Sequence, residues 1–263
     1  MKKPVRRIGL AVAAIGLVAL IGGLGRWAYV AHRNAQLLLT DGDILPSRAA
    51  LTHFAAIEAA PIYARDCAAC HGPDLKGNRS SGVPDLTDHD WLYGQGRITD
   101  IELTITYGIR SHQPRARDLA NMPAFARAQP DTRDQLNPLT PRQIDDVISY
   151  LFSIERRGAP DRAAVQRGEK VFSLTGGCYD CHGSDAEGDN FVGAPNLRDN
   201  IWLYGDGSRA SLFRSIAQGH VGLCPGWSRR LSPAQIRALA VFIYLRSHPS
   251  TADTAKAAGK AAS

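Results

Sequence analysis

Three habits of apolar and polar residues alternate along the chain. From Ile8 to Gly25 eighteen residues pass without a charge. Further on, apolar residues recur at three and four positions, as Ile144, Val147, Ile148 and Leu151, and again as Ile236, Leu239, Ala240 and Ile243. That spacing gives one apolar stripe along a helix. Leu51 to Tyr63 and Ala163 to Phe172 also read as helices, whereas stretches such as Gly72 to Pro84 are rich in turn residues. Period-two alternation is nearly absent. The pattern predicts an all-α chain: an N-terminal transmembrane helix followed by two small helical units.

The uncharged run spans about 27 Å at a helical rise of ~1.5 Å per residue, close to the hydrocarbon core of a bilayer. Four basic residues precede it, and Arg26, Trp27 and Tyr29 follow where interfacial side chains belong. A cleaved leader would need small residues spaced as Ala-x-Ala, which Arg26 to Ala31 supplies poorly. An uncleaved anchor over residues 1–31 is expected, with its basic end in the cytoplasm. The rest then lies on the periplasmic side of a bacterial inner membrane.

The chain repeats itself. Shifted by 111 residues, Cys67, Cys70 and His71 fall on Cys178, Cys181 and His182, and Trp91-Leu-Tyr-Gly94 falls on Trp202-Leu-Tyr-Gly205. No gap interrupts this match through Gly108 and Gly219, so a whole unit is duplicated. After an insertion in the first copy, Met122-Pro123 meets Cys224-Pro225. Leu139-Thr-Pro-Arg-Gln-Ile144 then meets Leu231-Ser-Pro-Ala-Gln-Ile236. Thr140 and Ser232 are N-caps, each followed by proline and by a glutamine that closes a capping box. The boundaries expected are a linker at 32–50, a first domain at 51–155, a linker at 156–162, a second domain at 163–249 and a disordered tail at 250–263.

Net charge is +6, with acids in excess over 67–155 and bases in excess elsewhere. No clustered basic stripe or recognisable module points to nucleic acid. Aromatic content is 7%. Units this small bury a modest share of their surface, so a large apolar cofactor would complete their cores.

Cys-x-x-Cys-His supplies that cofactor's attachment. Cys67 and Cys70, and Cys178 and Cys181, form thioethers with a haem, and His71 and His182 ligate the iron. Two covalently bound haems c are expected. A thioredoxin-like pair would want a βαβ context, and a zinc site four ligands. Of the two methionines one is Met1, so Met122 is the candidate sixth ligand of the first haem. The second unit offers Cys224 in the aligned place, with His220 as an alternative. A five-coordinate iron with Cys224 as apolar filler is the third reading. Pro84 and Pro195 follow their histidines by thirteen residues, and their carbonyls are placed to orient the imidazoles. Trp91 and Trp202 either pack on a haem edge or serve as core aromatics. No nucleophile–base pair or phosphate loop is present, which leaves electron transfer.

These strings resemble the dihaem, membrane-anchored subunit III of cbb3-type cytochrome c oxidases, the FixP-like subunit. The carriers are Cys67-Ala-Ala-Cys-His-Gly72, Pro84-Asp-Leu-Thr-Asp88, the paired Trp-Leu-Tyr-Gly strings, Met122-Pro-Ala-Phe125 and Gly193-Ala-Pro-Asn-Leu197. They run within a stretch from about Gln36 to His248. The resemblance implies an electron-entry subunit that accepts electrons from a cytochrome c and passes them through a monohaem subunit to a haem–copper catalytic subunit. Cys224-Pro225 departs from the family's Met-Pro. A dihaem sulfur-oxidising enzyme such as thiosulfate dehydrogenase, or a redox- or gas-sensing cytochrome, are the alternatives.

Overall fold

The computed structural model describes residues 3–128 and 137–249, with side chains from Ala13 onward. The expected tail at 250–263 therefore lies outside the described residues. Among the described residues nine α-helices follow in order: α1 Lys3–Leu39, α2 Ala49–Asp66, α3 Ala68–His71, α4 Ile98–Tyr107, α5 Pro141–Ile154, α6 Arg162–Lys170, α7 Tyr179–His182, α8 Arg209–Gln218 and α9 Pro233–Ser247. A 3-10 turn at Leu45–Ser47 precedes α2, and α6 runs on into a π-turn at Val171–Thr175. Among the described residues there are isolated β-bridges and no strands.

Helix α1 is long and apolar enough, over Ala13–Leu39, to cross a membrane. It does not stop near Ala31 but continues well into the stretch read as a linker. Its last turns are held by the first haem-motif unit: Leu37 is completely buried, Tyr29 meets Phe54 edge-on at 5.9 Å, and Arg26 pairs with Glu58 at 3.1 Å. Arg237 of α9 donates to the carbonyls of Leu37 and Thr40, at 3.3 and 3.0 Å, at the helix end. A guanidinium there satisfies carbonyls that no helical N–H reaches. Arg237 also pairs with Glu102 of α4.

Helices α5 and α9 start with matching capping boxes. Gln143 N–H donates to Thr140 Oγ1 and Gln235 N–H to Ser232 Oγ, each at 3.3 Å, while the glutamine side chains accept from the cap N–H groups at 2.8 and 2.9 Å. Their packing differs from their order in the sequence. Helix α9 lies against α2 and α4, burying Ile236, Leu239 and Ile243 with Phe54, Tyr63 and Ile101. Helix α5 lies against α6 and α8, burying Ile144, Ile148 and Leu151 with Phe172, Leu212 and Ile216. Each closing helix thus completes the core of the other copy.

The α5–α6 crossing is close. Gly168 faces the carbonyl of Asp146 with no room for a Cβ, and Arg167 holds Asp146 bidentately through Nε at 2.8 Å and Nη2 at 2.7 Å. That fork keeps the Asp146 carboxyl below the usual carboxylate range.

Candidate cofactor site

Both motifs lie on single helical turns. Helix α2 delivers Cys67, and α3 then carries Cys70 and His71 before Gly72 turns the chain away; Tyr63 OH donates to the Gly72 carbonyl at 2.6 Å. Helix α7 and Gly183 repeat the arrangement for Cys178, Cys181 and His182. Positions i, i+3 and i+4 share one helix face, so two thiols and an imidazole project together. The loops after the motifs fold alike: Leu86 N–H donates to Leu75 O at 2.8 Å, and Leu197 N–H to Ala186 O at 2.9 Å.

These loops bring the proline carbonyls to the histidines. His71 Nδ1 stands 3.4 Å from Pro84 O, and His182 Nδ1 stands 3.0 Å from Pro195 O. A carbonyl accepts only from a protonated Nδ1, which leaves Nε2 as the lone-pair nitrogen. Burial lowers both histidines below the ordinary imidazole range, against the carbonyls' opposite pull, and so favours the neutral, ligating form.

The two motifs open onto one cavity of about 720 Å³, lined largely by apolar side chains from both halves. Cys67, Cys70, His71, Cys178, Cys181 and His182 all reach it, as do Met122, His220 and Cys224. No disulfide joins any of the five cysteines. Among the described residues no group of three or more His, Cys, Asp or Glu is arranged to hold a bare metal ion. Paired thiols beside an oriented neutral imidazole, facing an apolar cavity, fit a covalently attached haem c.

The upper walls of the cavity are contributed crosswise. Met122 packs against the same buried apolar cluster as Cys178, Leu197 and Trp202 of the second motif's unit. Trp227, three residues beyond Cys224, packs against the buried cluster that Cys67, Leu86 and Trp91 of the first also border. Cys224 also sits near enough to feel Cys70: burial first, and then that neighbour, push its thiol up to about 11. The distal segments that repeat alignment assigns to their own copies thus each lie against the apolar cluster of the other. The reason is the exchange of the closing segments, which repeat alignment cannot see because both copies exchange alike.

Two backbone bridges hold these segments. Ile109 and Cys224 exchange N–H donations at 2.9 and 3.0 Å, and Met122 and His220 at 3.2 and 2.9 Å. Gly108 and Gly219, both at positive φ, run directly under the carbonyls of Cys224 and Met122. The ring of Tyr204 rests on Gly82 and that of Tyr93 on Gly193, so each aromatic string also reaches the opposite copy. The Trp91 and Trp202 indoles pack on Gly96 and Gly207 within their own copies.

His220 stacks on Tyr204 with 3.5 Å between centroids and 10° between planes, and its Nε2 is buried with no hydrogen-bond partner. Arg110 was not singled out as a site residue by the sequence, yet it joins the loops, donating to the carbonyls of Gly222 and Ala120. It falls within Thr104-Ile-Thr-Tyr-Gly-Ile-Arg-Ser111, a string that carries the family resemblance, but the repeat offers it no basic counterpart, Val221 standing in the aligned place. On the cavity wall Asp90 is pushed up to about 6, by burial first and then by Asp199 and Asp88.

Comparison with known proteins gives a consistent result. A family model described as cytochrome c matches residues 56–155, and one described as cytochrome c oxidase, cbb3-type, subunit III matches residues 163–243. The cbb3-type cytochrome c oxidase subunit CcoP of Rhodobacter capsulatus is 39% identical over 217 residues, covering 80% of this chain and 68% of its own. The corresponding FixP subunit of Azorhizobium caulinodans is 36% identical over 214 residues, covering 81% and 67%. That of Bradyrhizobium sp. strain ORS 278 is 38% identical over 185 residues, covering 70% of this chain and 58% of its own length.

Proposed function

The chain belongs to the family of cbb3-type cytochrome c oxidase subunits called FixP and CcoP, and from that premise we propose that it is the dihaem electron-entry subunit of such an oxidase. The observation that carries this reading is the doubled site. Two Cys-x-x-Cys-His turns, each with its histidine Nδ1 facing a proline carbonyl thirteen residues on, open onto one apolar cavity.

In this reading Cys67 and Cys70 hold one haem c by thioether bonds, and Cys178 and Cys181 a second. His71 and His182 are the proximal ligands, oriented by Pro84 and Pro195, and Met122 and Cys224 are the distal candidates. Haem c supplies one-electron redox chemistry when bound. The protein's part is to fix the ligands, exclude water with the apolar lining and keep both sites within one rigid cavity. His220 stacks flat on Tyr204, which ties its ring to protein and favours Cys224 over it as the distal candidate.

Helix α1 anchors the protein in the membrane, and the basic residues before the span support an orientation with its start in the cytoplasm and both motifs in the periplasm. Electrons enter from a cytochrome c donor and leave for the monohaem and haem–copper subunits of the complex, where oxygen is reduced. The relatives do not favour the sulfur-oxidising or sensing alternatives.

The test is purification in detergent from cells that make the oxidase. Co-elution with a haem–copper subunit, two covalent haems per chain by haem stain and intact mass, and reduction by cytochrome c are expected. A chain that purifies without oxidase subunits yet oxidises thiosulfate would defeat the proposal.

A further inference from the structure

The crosswise cavity wall has a consequence for ligation. We propose that the two halves exchange distal ligands: Met122 completes the haem held at Cys178, Cys181 and His182, and the loop carrying Cys224 covers the haem held at Cys67, Cys70 and His71. The inference rests on the two-haem reading above.

Three independent contacts support the assignment. The first is packing, since Met122 borders the buried cluster that Cys178 and Trp202 also border, while Trp227 of the Cys224 loop borders the one shared by Cys67 and Trp91. The second is backbone pairing. Phe125 N–H donates to Ile216 O at 3.0 Å, and in the repeat-related place Trp227 N–H donates to Ile105 O at 2.9 Å. Each distal loop is thereby laid along α8 or α4 of the opposite copy. The third is the direction of the chain beyond each loop, where Leu139 N–H donates to Phe125 O at 2.8 Å and α5 then enters the second core.

All three hold the Met122 loop against the second core. The insertion after Gly108 is also consumed locally, because Arg117 N–H returns to Gly108 O at 3.0 Å and Arg110 N–H meets Arg117 O at 3.1 Å. It folds back on itself and does not lengthen the reach of the Met122 loop. Neither half then holds a complete site alone. The site with a methionine thioether is the second along the chain, and the one facing a cysteine is the first.

Single-haem variants of the full-length protein test this. Replacing Cys178 and Cys181 by alanine leaves only the haem at Cys67 and Cys70, and replacing Cys67 and Cys70 leaves only the other. Met122→Ala is then made in each and read by low-temperature EPR and redox titration. Loss of the low-spin methionine-ligated signal only in the protein that keeps Cys178 and Cys181 is expected. Loss in the other protein, or in neither, overturns the exchange.

Should a single-haem variant fail to fold, the intact two-haem protein is cut at a protease site introduced at Gly158. Fragments that remain together and keep Met122 ligation on the C-terminal haem support the exchange. Fragments that separate with methionine ligation on the N-terminal haem overturn it. If either motif in the intact protein carries no covalent haem, by intact mass, the two-haem reading has failed and not the exchange.

Discussion

Met122 and His220 are joined backbone to backbone, the Met122 N–H on the His220 carbonyl at 3.2 Å and the His220 N–H on the Met122 carbonyl at 2.9 Å. In the repeat, His220 corresponds to Ile109 and Met122 to Cys224, and those two partners make the same bridge. The contact between the copies is therefore self-complementary, as in a symmetric dimer with an exchanged element, but closed within one chain. Small units with thin cores gain from such sharing, because each closing helix buries its apolar face against a neighbour already held by the linker.

Gly219→Ala should unseat the Met122 loop. Gly219 has φ +65° and lies directly under the Met122 carbonyl, so the substitution meets both left-handed strain, about 1–2 kcal/mol, and a steric overlap. Gly158→Ala is the control, since Gly158 has φ +64° with nothing within 4 Å. A thermal melt should show a larger loss for Gly219→Ala, and only that variant should disturb the methionine-ligated haem's spectrum. Equal losses would remove the close approach as a cause.

Gly168→Ala reports on the α5–α6 crossing. Within an isolated helix the change would stabilise by about 1 kcal/mol. Here the new methyl meets the Asp146 carbonyl at the crossing that joins the two halves of the sequence. A lowered melting temperature is the expected outcome, together with loosening of the Arg167–Asp146 fork. A raised one would mean that the helices part at no cost.

Asp90 sets a pH dependence. Its folded-state pKa near 6 is above that of an unfolded aspartate, raised by burial, then by Asp199 and Asp88. Between about pH 4 and pH 6 the folded protein keeps a proton that the unfolded chain has released, so this group's contribution to stability falls as pH rises through that window. Asp90→Asn should raise the melting temperature at pH 7.5 and leave it nearly unchanged at pH 4. The reverse order would show that the carboxylate is stabilised, not strained, in its site.

Much of this was legible in the sequence because it is local. The Cys-x-x-Cys-His turns, the capping boxes at Thr140 and Ser232 and the apolar run of α1 each depend on residues within a few positions of one another. The pairing of Met122 with the second core was not legible. Repeat alignment places Met122 on Cys224, and that equivalence holds whether each loop closes its own copy or the other. Only the three-dimensional neighbours of Phe125 and Trp227 distinguish the two. The length of α1 beyond Ala31 was hidden for a related reason: Leu37 and Arg33 look like linker until α9 and α2 are there to receive them.

Cys224→Met should change one haem and spare the other. As a free thiol Cys224 is held protonated at neutral pH by its burial, and a coordinating thiol is deprotonated, so ligation replaces a neutral group with an anion. An anionic ligand favours the oxidised iron, whereas a methionine thioether raises the potential. With the distal loops exchanged, the substitution should raise the potential of the haem at Cys67 and Cys70 and convert its EPR signal to that of a methionine-ligated centre. The haem at Cys178 and Cys181, already facing Met122, should keep both its signal and its potential. An unchanged spectrum would show that Cys224 only fills space above the first haem. A change confined to the haem at Cys178 and Cys181 would return Cys224 to its own half of the chain, and the exchange of ligands would have to be abandoned.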